Sequence, residues 1–197
     1  MQFSTSNFKE DHYTWDMTRF AINKEDEYEQ VLIIGGGDLI IAAYILNNYP
    51  NVKKLIVADI DRRVIEVTQK FFSFAEVIDK EIKNGRFEIY NEAGASFIDK
   101  KLIKEGEGCV GGVIIDCTDF ALDEGSIAAE LFTPAFYNQI HKLLKKGGIF
   151  SQQITNRHFK ESFEERAGKG GFTKFTHFIS YTPEYGGELP LACGHKE

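Results

Sequence analysis

The sequence predicts an α/β fold built on a doubly wound, mostly parallel sheet, and the prediction rests on three observations. From Gln30 onward, short β-branched runs alternate with longer stretches of helical spacing, the pattern of βαβ units whose strands are buried on both faces. The first such run, Val31 to Ile34, leads straight into Gly35, Gly36, Gly37 and Asp38 and then into an apolar helix, a Rossmann-like succession of strand, glycine turn and helix. At 197 residues, 43% hydrophobic and 27% charged, the chain is long enough to bury one proper core.

Each element follows in order. The apolar spacing of LIIAAYILNNY, from Leu39 to Tyr49, fits a helix packed on the sheet, and Pro50 closes it. KKLIVADID reads as a second strand ending in acidic residues, and Arg62 to Phe74 as a second helix. RFEIYNEAGASFID gives a third strand, a glycine-containing turn and a helix start, while CVGGVIIDCTDF is a glycine-led fourth strand. The acidic stretch between Phe120 and Glu130 has no clear period and reads as a loop over the site. PAFYNQIHKLLKKGGIFSQQ places proline at a helix start, lysines at its end, a GG terminator and a fifth strand. Residues 157–171 are charged and helical in pattern, and TKFTHFISY and GELPLA are β-like. The expected organisation is one domain, residues 29–197, preceded by an N-terminal arm or linker over 1–28.

The formal net charge of -7 provides no basic field to neutralise phosphates, which disfavours a nucleic-acid partner and suits a cationic ligand. Cys109, Cys117 and Cys193 are far apart and odd in number, arguing against a disulfide scaffold or a zinc knuckle and for a reducing cytoplasm. The first residues contain no apolar segment of signal-peptide length, and no run approaches a membrane span. His12, His141, His158, His177 and His195 have no metal-ligand spacing and read as surface or satisfied residues.

In a doubly wound sheet, ligands bind beyond the carboxyl ends of the strands, which selects four turns: GGGD, ADID, NEAG and DCTD. The three glycines allow close backbone approach at a helix N-terminus. Ile40 stands where the third glycine of GxGxxG would fall, which disfavours a dehydrogenase. Asp38 repels a pyrophosphate and attracts a sulfonium or ammonium group, or else caps the helix. Asp59 lies about twenty residues beyond the glycines, the spacing of a ribose-binding acid, whereas Asp61 reads equally as a helix cap. Asp116 and Asp119 flank Cys117 and Thr118 at the end of a buried strand, where a carboxylate can take a proton from an amine or hold an ammonium; the bland alternative is a turn-building cluster. Tyr13, Trp15 and Tyr185 lie in segments that could line a pocket, with packing of the N-terminal arm the favoured role for the first two.

Taken together, VLIIGGGD, VADIDRRVIEVTQKFF, VIIDCTD and LFTPAFYNQIHKLLKKGGIFSQQ resemble the spermidine and spermine synthase family of polyamine aminopropyltransferases, over roughly residues 29–195. The resemblance implies a Rossmann-like sheet of the class I S-adenosylmethionine-dependent methyltransferase type. It also implies transfer of an aminopropyl group from decarboxylated S-adenosylmethionine, a co-substrate, to putrescine or spermidine, with no metal and no prosthetic group. By that likeness Asp38 holds the aminopropyl amine, Asp59 stands where the family usually has a ribose-binding glutamate, and Asp116 helps deprotonate the attacking amine with Asp119 as its companion. Gly94 joins Gly35, Gly36 and Gly37 in the donor site, and Tyr185 and Glu188 fall where acceptor ligands are expected. The sequence departs from the family at Leu39 and Ile40, which replace a glycine pair, at Phe120 in place of proline, and at Ala93, which replaces the aspartate that reads the adenine amine; such a contact is worth about a kcal/mol. Family members commonly dimerise, and the likeness extends that expectation here. A catalytically inactive relative with a binding or regulatory role is the alternative, and a methyltransferase of the same fold is a third.

Overall fold

The computed structural model describes residues 12–117, 127–182 and 187–197. Within them, helix α1 (His12–Ala21) precedes an alternation of β1 (Val31–Gly35), α2 (Ile40–Asn48), β2 (Leu55–Ala58), α3 (Arg62–Phe71), α4 (Ala75–Lys83), β3 (Phe87–Tyr90), α5 (Gly94–Glu105) and β4 (Val110–Asp116). Then follow α6 (Pro134–Leu143), β5 (Leu144–Gln153), α7 (Lys160–Lys169), β6 (Lys174–Thr182) and β7 (Gly187–His195). The seven strands form one sheet in the order β3-β2-β1-β4-β5-β7-β6. The pairings among β1 to β5 are parallel, and β7 runs antiparallel to both β5 and β6. This is the expected doubly wound sheet of the class I methyltransferase type. No helix among the described residues is long and apolar enough to cross a membrane.

Two apolar layers hold the sheet. Val31, Ile33, Leu55 and Val57 point to one face and pack with Met17 of α1, Ala42 and Ile45 of α2 and Ile78 of α4. Leu32, Ile34, Val113 and Ile115 point to the other and pack with Ile98 of α5, Tyr137 and Ile140 of α6 and Phe163 of α7. The alternation follows from the two-residue repeat of a strand, and since both faces are covered the strands read as continuous apolar runs.

Four expectations are corrected. The helix expected over 62–74 stops at Phe71, because Phe72 turns extended (ψ 140) and pairs with Phe74, ring centroids 5.4 Å apart, to pack against the core; the separate α4 follows. Leu39 does not start the next helix but precedes it with φ 57. The helix from Pro134 ends at Leu143 rather than at the GG pair, since Leu144 is fully buried and pairs with Val110. Gly147 (φ 77) and Gly148 instead lie in an irregularity of β5, where the ladder jumps from Val110–Leu144 to Gly112–Ile149. Of the stretch read as a loop, Ile127–Phe132 forms a 3-10 helix, and 118–126 lies outside the described residues.

Candidate active site at the strand ends

The parallel register brings the turns level: Ile34 pairs with Ala58, Ala58 with Tyr90, and Gly35 with Asp116. At the first turn the chain bends so tightly that the Gly36 amide donates to the Asp116 carbonyl at 2.7 Å. A Cβ on Gly35 would lie 2.0 Å from that carbonyl oxygen, so only glycine fits. Asp38 Oδ1 accepts from the Ile40 amide at 3.1 Å, so the carboxylate sits over the start of α2. Leu39, not Asp38, occupies the N-cap of α2, with no side-chain cap, so the Asp38 contact is a local turn bond that leaves a half-buried acid at the mouth of the turn. Leu39 is wholly buried among the apolar residues on the α1 and α2 side of the sheet.

Asp59 ties the first two turns together. Its Oδ2 accepts from the Gly37 amide at 2.9 Å and its Oδ1 from the Asp61 amide at 2.7 Å. A Cβ on Gly37 would lie 2.9 Å from the Asp59 carboxyl carbon, which is why the third glycine is needed. Asp61 caps α3, accepting from the amides of Arg63 and Val64. At the third turn Asn91 Nδ2 donates to the carbonyls of Asp59 and Ile60, each at 3.0 Å. Ala93 precedes α5 with no side-chain cap. Gly94 lets that helix press on β1, since a Cβ there would meet Ile34 Cγ2 at 2.4 Å.

At the fourth turn Asp116 Oδ1 accepts a 2.6 Å hydrogen bond from the Tyr13 hydroxyl, across 103 residues of sequence. Asp116 Oδ2 lies against the first turn, 3.3 Å from where a Gly36 Cβ would be. Burial and then the charges of Asp116 and Asp59 push the neighbouring Cys117 thiol up to about 12, so it stays protonated at neutral pH and is a poor nucleophile. Gln153 Nε2 donates to the Cys117 carbonyl at 3.5 Å and its Oε1 accepts from the Thr155 amide at 2.8 Å.

The structure thus brings together Gly35, Gly36, Gly37, Asp59 and Asp116 through direct contacts, with Asp38 and Gly94 on the adjoining helix starts. Asp119 and Tyr185 lie outside the described residues. Glu188 is exposed and pairs with Arg157 at 2.5 Å. Trp15 is 43% exposed with the Arg19 guanidinium over its ring, whereas Tyr13, read from sequence as a packing residue, reaches the site. Asn91 and Gln153 are site residues that the sequence reading does not name, and Tyr13 enters the site from a segment that could line a pocket but for which packing is the favoured role. No local pattern marks Tyr13; Asn91 carries a faint signal as a polar residue just before a helix start. His177 binds Glu164 at 2.6 Å and His195 binds Thr176 at 2.9 Å. Chemically the arrangement is a set of carboxylates beside a glycine turn, suited to a cationic ligand and to removal of a proton from it.

The spermine/spermidine synthase domain model matches residues 10–192. A polyamine aminopropyltransferase of Pyrobaculum aerophilum is 28% identical over 194 residues, covering 96% of this chain and 64% of that protein. One of Bacillus cytotoxicus is 36% identical over 132 residues, covering 66% of this chain and 43% of that protein. The chain therefore spans less than two thirds of the length of these relatives. Spermidine synthase from Thermotoga maritima superposes with a TM-score of 0.75 at 24% identity, over 94% of this chain and 60% of that one. A spermidine synthase solved with the transition-state analogue AdoDATO gives 0.76 at 23% identity, over 94% and 61%.

Proposed function

The chain belongs to the spermine/spermidine synthase domain family, and from that premise we propose that it transfers an aminopropyl group from decarboxylated S-adenosylmethionine to putrescine or spermidine. The observation that carries the reading is the Asp116 carboxylate at the fourth strand end, packed against the glycine turn and oriented by Tyr13. In the reaction the amine nitrogen attacks the sulfonium-bound methylene, the carbon–sulfur bond breaks to leave neutral methylthioadenosine, and the amine proton passes to Asp116. Asp38 holds the ammonium of the aminopropyl arm. Asp59, with lone pairs remaining beyond its two amide contacts, accepts from the ribose hydroxyls. Gly35, Gly36, Gly37 and Gly94 let backbone and donor approach, while Asp119, Tyr185 and Glu188 are assigned to the acceptor in this reading. Tyr13 is a positioning residue, acting through Asp116.

In this reading residues 29–197 are the catalytic domain and 1–28 an arm that delivers Tyr13. The protein works in the cytoplasm as a homodimer on small cationic substrates, needs no metal or prosthetic group, and engages neither nucleic acid nor membrane; the net charge of -7 supports the substrate class. The specific observation favouring an inactive, binding relative is Ala93, which offers the adenine no side-chain acceptor. The deciding assay measures methylthioadenosine released from the donor with each amine. Turnover is expected, falling about 100-fold or more in Asp116→Asn. Donor binding without any turnover would instead establish the inactive relative.

A further inference from the structure

The sheet has two outer edges, and they differ. β3 is four residues long and carries Glu88, paired with Lys54, so it is short and charged, as edges that must stay solitary usually are. β6 is nine residues long, contains no proline and keeps an unbroken register with β7 from Lys174 to Thr182. Apart from Lys174 at one end, it has none of the devices that stop an edge from pairing. Which of its backbone groups face outward follows from β7. The Ile154 amide donates to the Pro190 carbonyl and the Lys196 amide to the Gly148 carbonyl, so the even-numbered residues of β7 and its extension turn toward β5. The odd-numbered ones turn toward β6, where their partners are Lys174, Thr176, Phe178, Ser180 and Thr182. Phe175, His177, Ile179 and Tyr181 therefore aim their N–H and C=O groups away from the sheet, and no described residue hydrogen-bonds those groups.

Aromatic and apolar side chains border this row on both faces. Ile179 and Tyr181, 41% and 62% exposed, share the α7 side with Phe175 and His177, which meet Phe163 and Glu164. On the α1 side Phe178 stacks on Phe20, and the Arg19 guanidinium lies over the rings of both Phe20 and Trp15. The row is also complementary to itself. In an antiparallel pair with a two-fold axis at Phe178, Phe175 falls opposite Tyr181 of a second copy and His177 opposite Ile179. All four outward residues of each copy then pair, two hydrogen bonds to each opposed pair. A two-fold axis at any other residue leaves at least one of the four unpaired. Lys174, the only Lys, Arg, Asp or Glu of the strand, falls opposite Thr182, so no like charges meet. A strand of this length spans ~30 Å and, with a packed layer ~10 Å above and below it, presents about 600 Å² per copy, or about 1,200 Å² in total, the lower bound for a specific interface. We propose that a second copy of this chain occupies the β6 edge, joining the two seven-stranded sheets into one through an antiparallel β6–β6 pair centred on Phe178. The inference rests on the homodimer of the proposed function, whose contact surface it names, and uses none of its chemistry.

The test measures mass in solution by sedimentation velocity over a range of concentrations. The wild-type chain should sediment at twice the chain mass. Ile179→Pro removes a donor that β7 does not use, and Ile179→Lys sets a charge within the pair; each should weaken association about tenfold or more while the far-ultraviolet circular dichroism stays that of the wild type. Phe71→Lys, on the exposed face of α3, should leave the dimer intact. Phe178→Cys should form a disulfide between copies under mild oxidation, mapped by mass spectrometry of unreduced peptides, because directly opposed Cα atoms of a non-hydrogen-bonded pair lie ~4.5 Å apart. A monomeric wild type, a dimer unchanged by Ile179→Lys, a dimer dissociated equally by Phe71→Lys, or failure of the cysteine at 178 to cross-link would each overturn the proposal. A monomer that releases methylthioadenosine would do so while leaving the aminopropyl reading standing, whereas a dimer with these responses and no turnover would support the interface and sink that reading.

Discussion

Leu39 holds a backbone conformation, φ 57 and ψ 14, that costs an L-residue about 1–2 kcal/mol, yet its side chain is wholly buried. Burial of the leucine over-determines the strain, and the strained turn in turn places Asp38 over the start of α2. The expected consequence is an unusual ranking: Leu39→Gly, which loses packing but relieves the strain, should be more stable by about 1 kcal/mol than Leu39→Ala, which loses packing and keeps it, as read by urea denaturation. The usual order, alanine above glycine, would refute the strained geometry. Tyr13→Phe removes one hydrogen bond to a carboxylate, of a kind worth about 1.5–3 kcal/mol. If Tyr13 acts through Asp116, kcat should fall about tenfold or more while the donor Kd stays within about twofold. A matching loss of donor affinity would place Tyr13 in binding instead.

At the scale of elements, the turns are coupled by backbone: Gly36 to Asp116, Gly37 to Asp59, Asn91 to Asp59 and Ile60. Substitutions at adjacent glycines should therefore separate two effects. Gly35→Ala would drive a methyl into a strand carbonyl at a φ of 79, and is expected to destabilise the fold by about 3 kcal/mol or more. Gly37→Ala meets a side chain that can move, so stability should change by only about 1 kcal/mol while donor affinity falls about tenfold as Asp59 is displaced; equal melting temperatures for the two variants would contradict this. The parallel strands were legible because β-branched runs broken by Gly, Pro and Asp leave few alternatives, and the acids at their ends followed from where such sheets bind ligands. What stayed illegible depends on distance. Phe72 and Phe74 interrupt a helical run only because a core is there to receive them, and the GG pair after Lys146 became a strand irregularity because Leu144 had a buried partner in Val110. Tyr13 joins Asp116 across 103 residues, a contact that no spacing rule encodes.

At the scale of the whole molecule, stability should fall in alkali for an identifiable reason. Burial pushes the Cys193 thiol from 9.0 up to about 12. The folded protein therefore keeps a proton that the unfolded chain releases above about pH 9, and this contribution, complete below that pH, is lost toward pH 12 at up to about 1.4 kcal/mol per pH unit. Cys193→Ala should flatten the slope of unfolding free energy between about pH 9 and 11; an unchanged slope would mean the thiol titrates normally. Cys193 lies on β7, and the position of that strand bears on the order of synthesis. β7 separates β5 from β6 although it is read after both. As the chain leaves the ribosome, β6 emerges beside no strand it can join, and β5 presents an open edge, until residues 187–195 follow. A nascent chain paused before Gly187 would expose the unpaired β6 and the open edge of β5 at once, the state in which a chaperone binds or an aggregate starts.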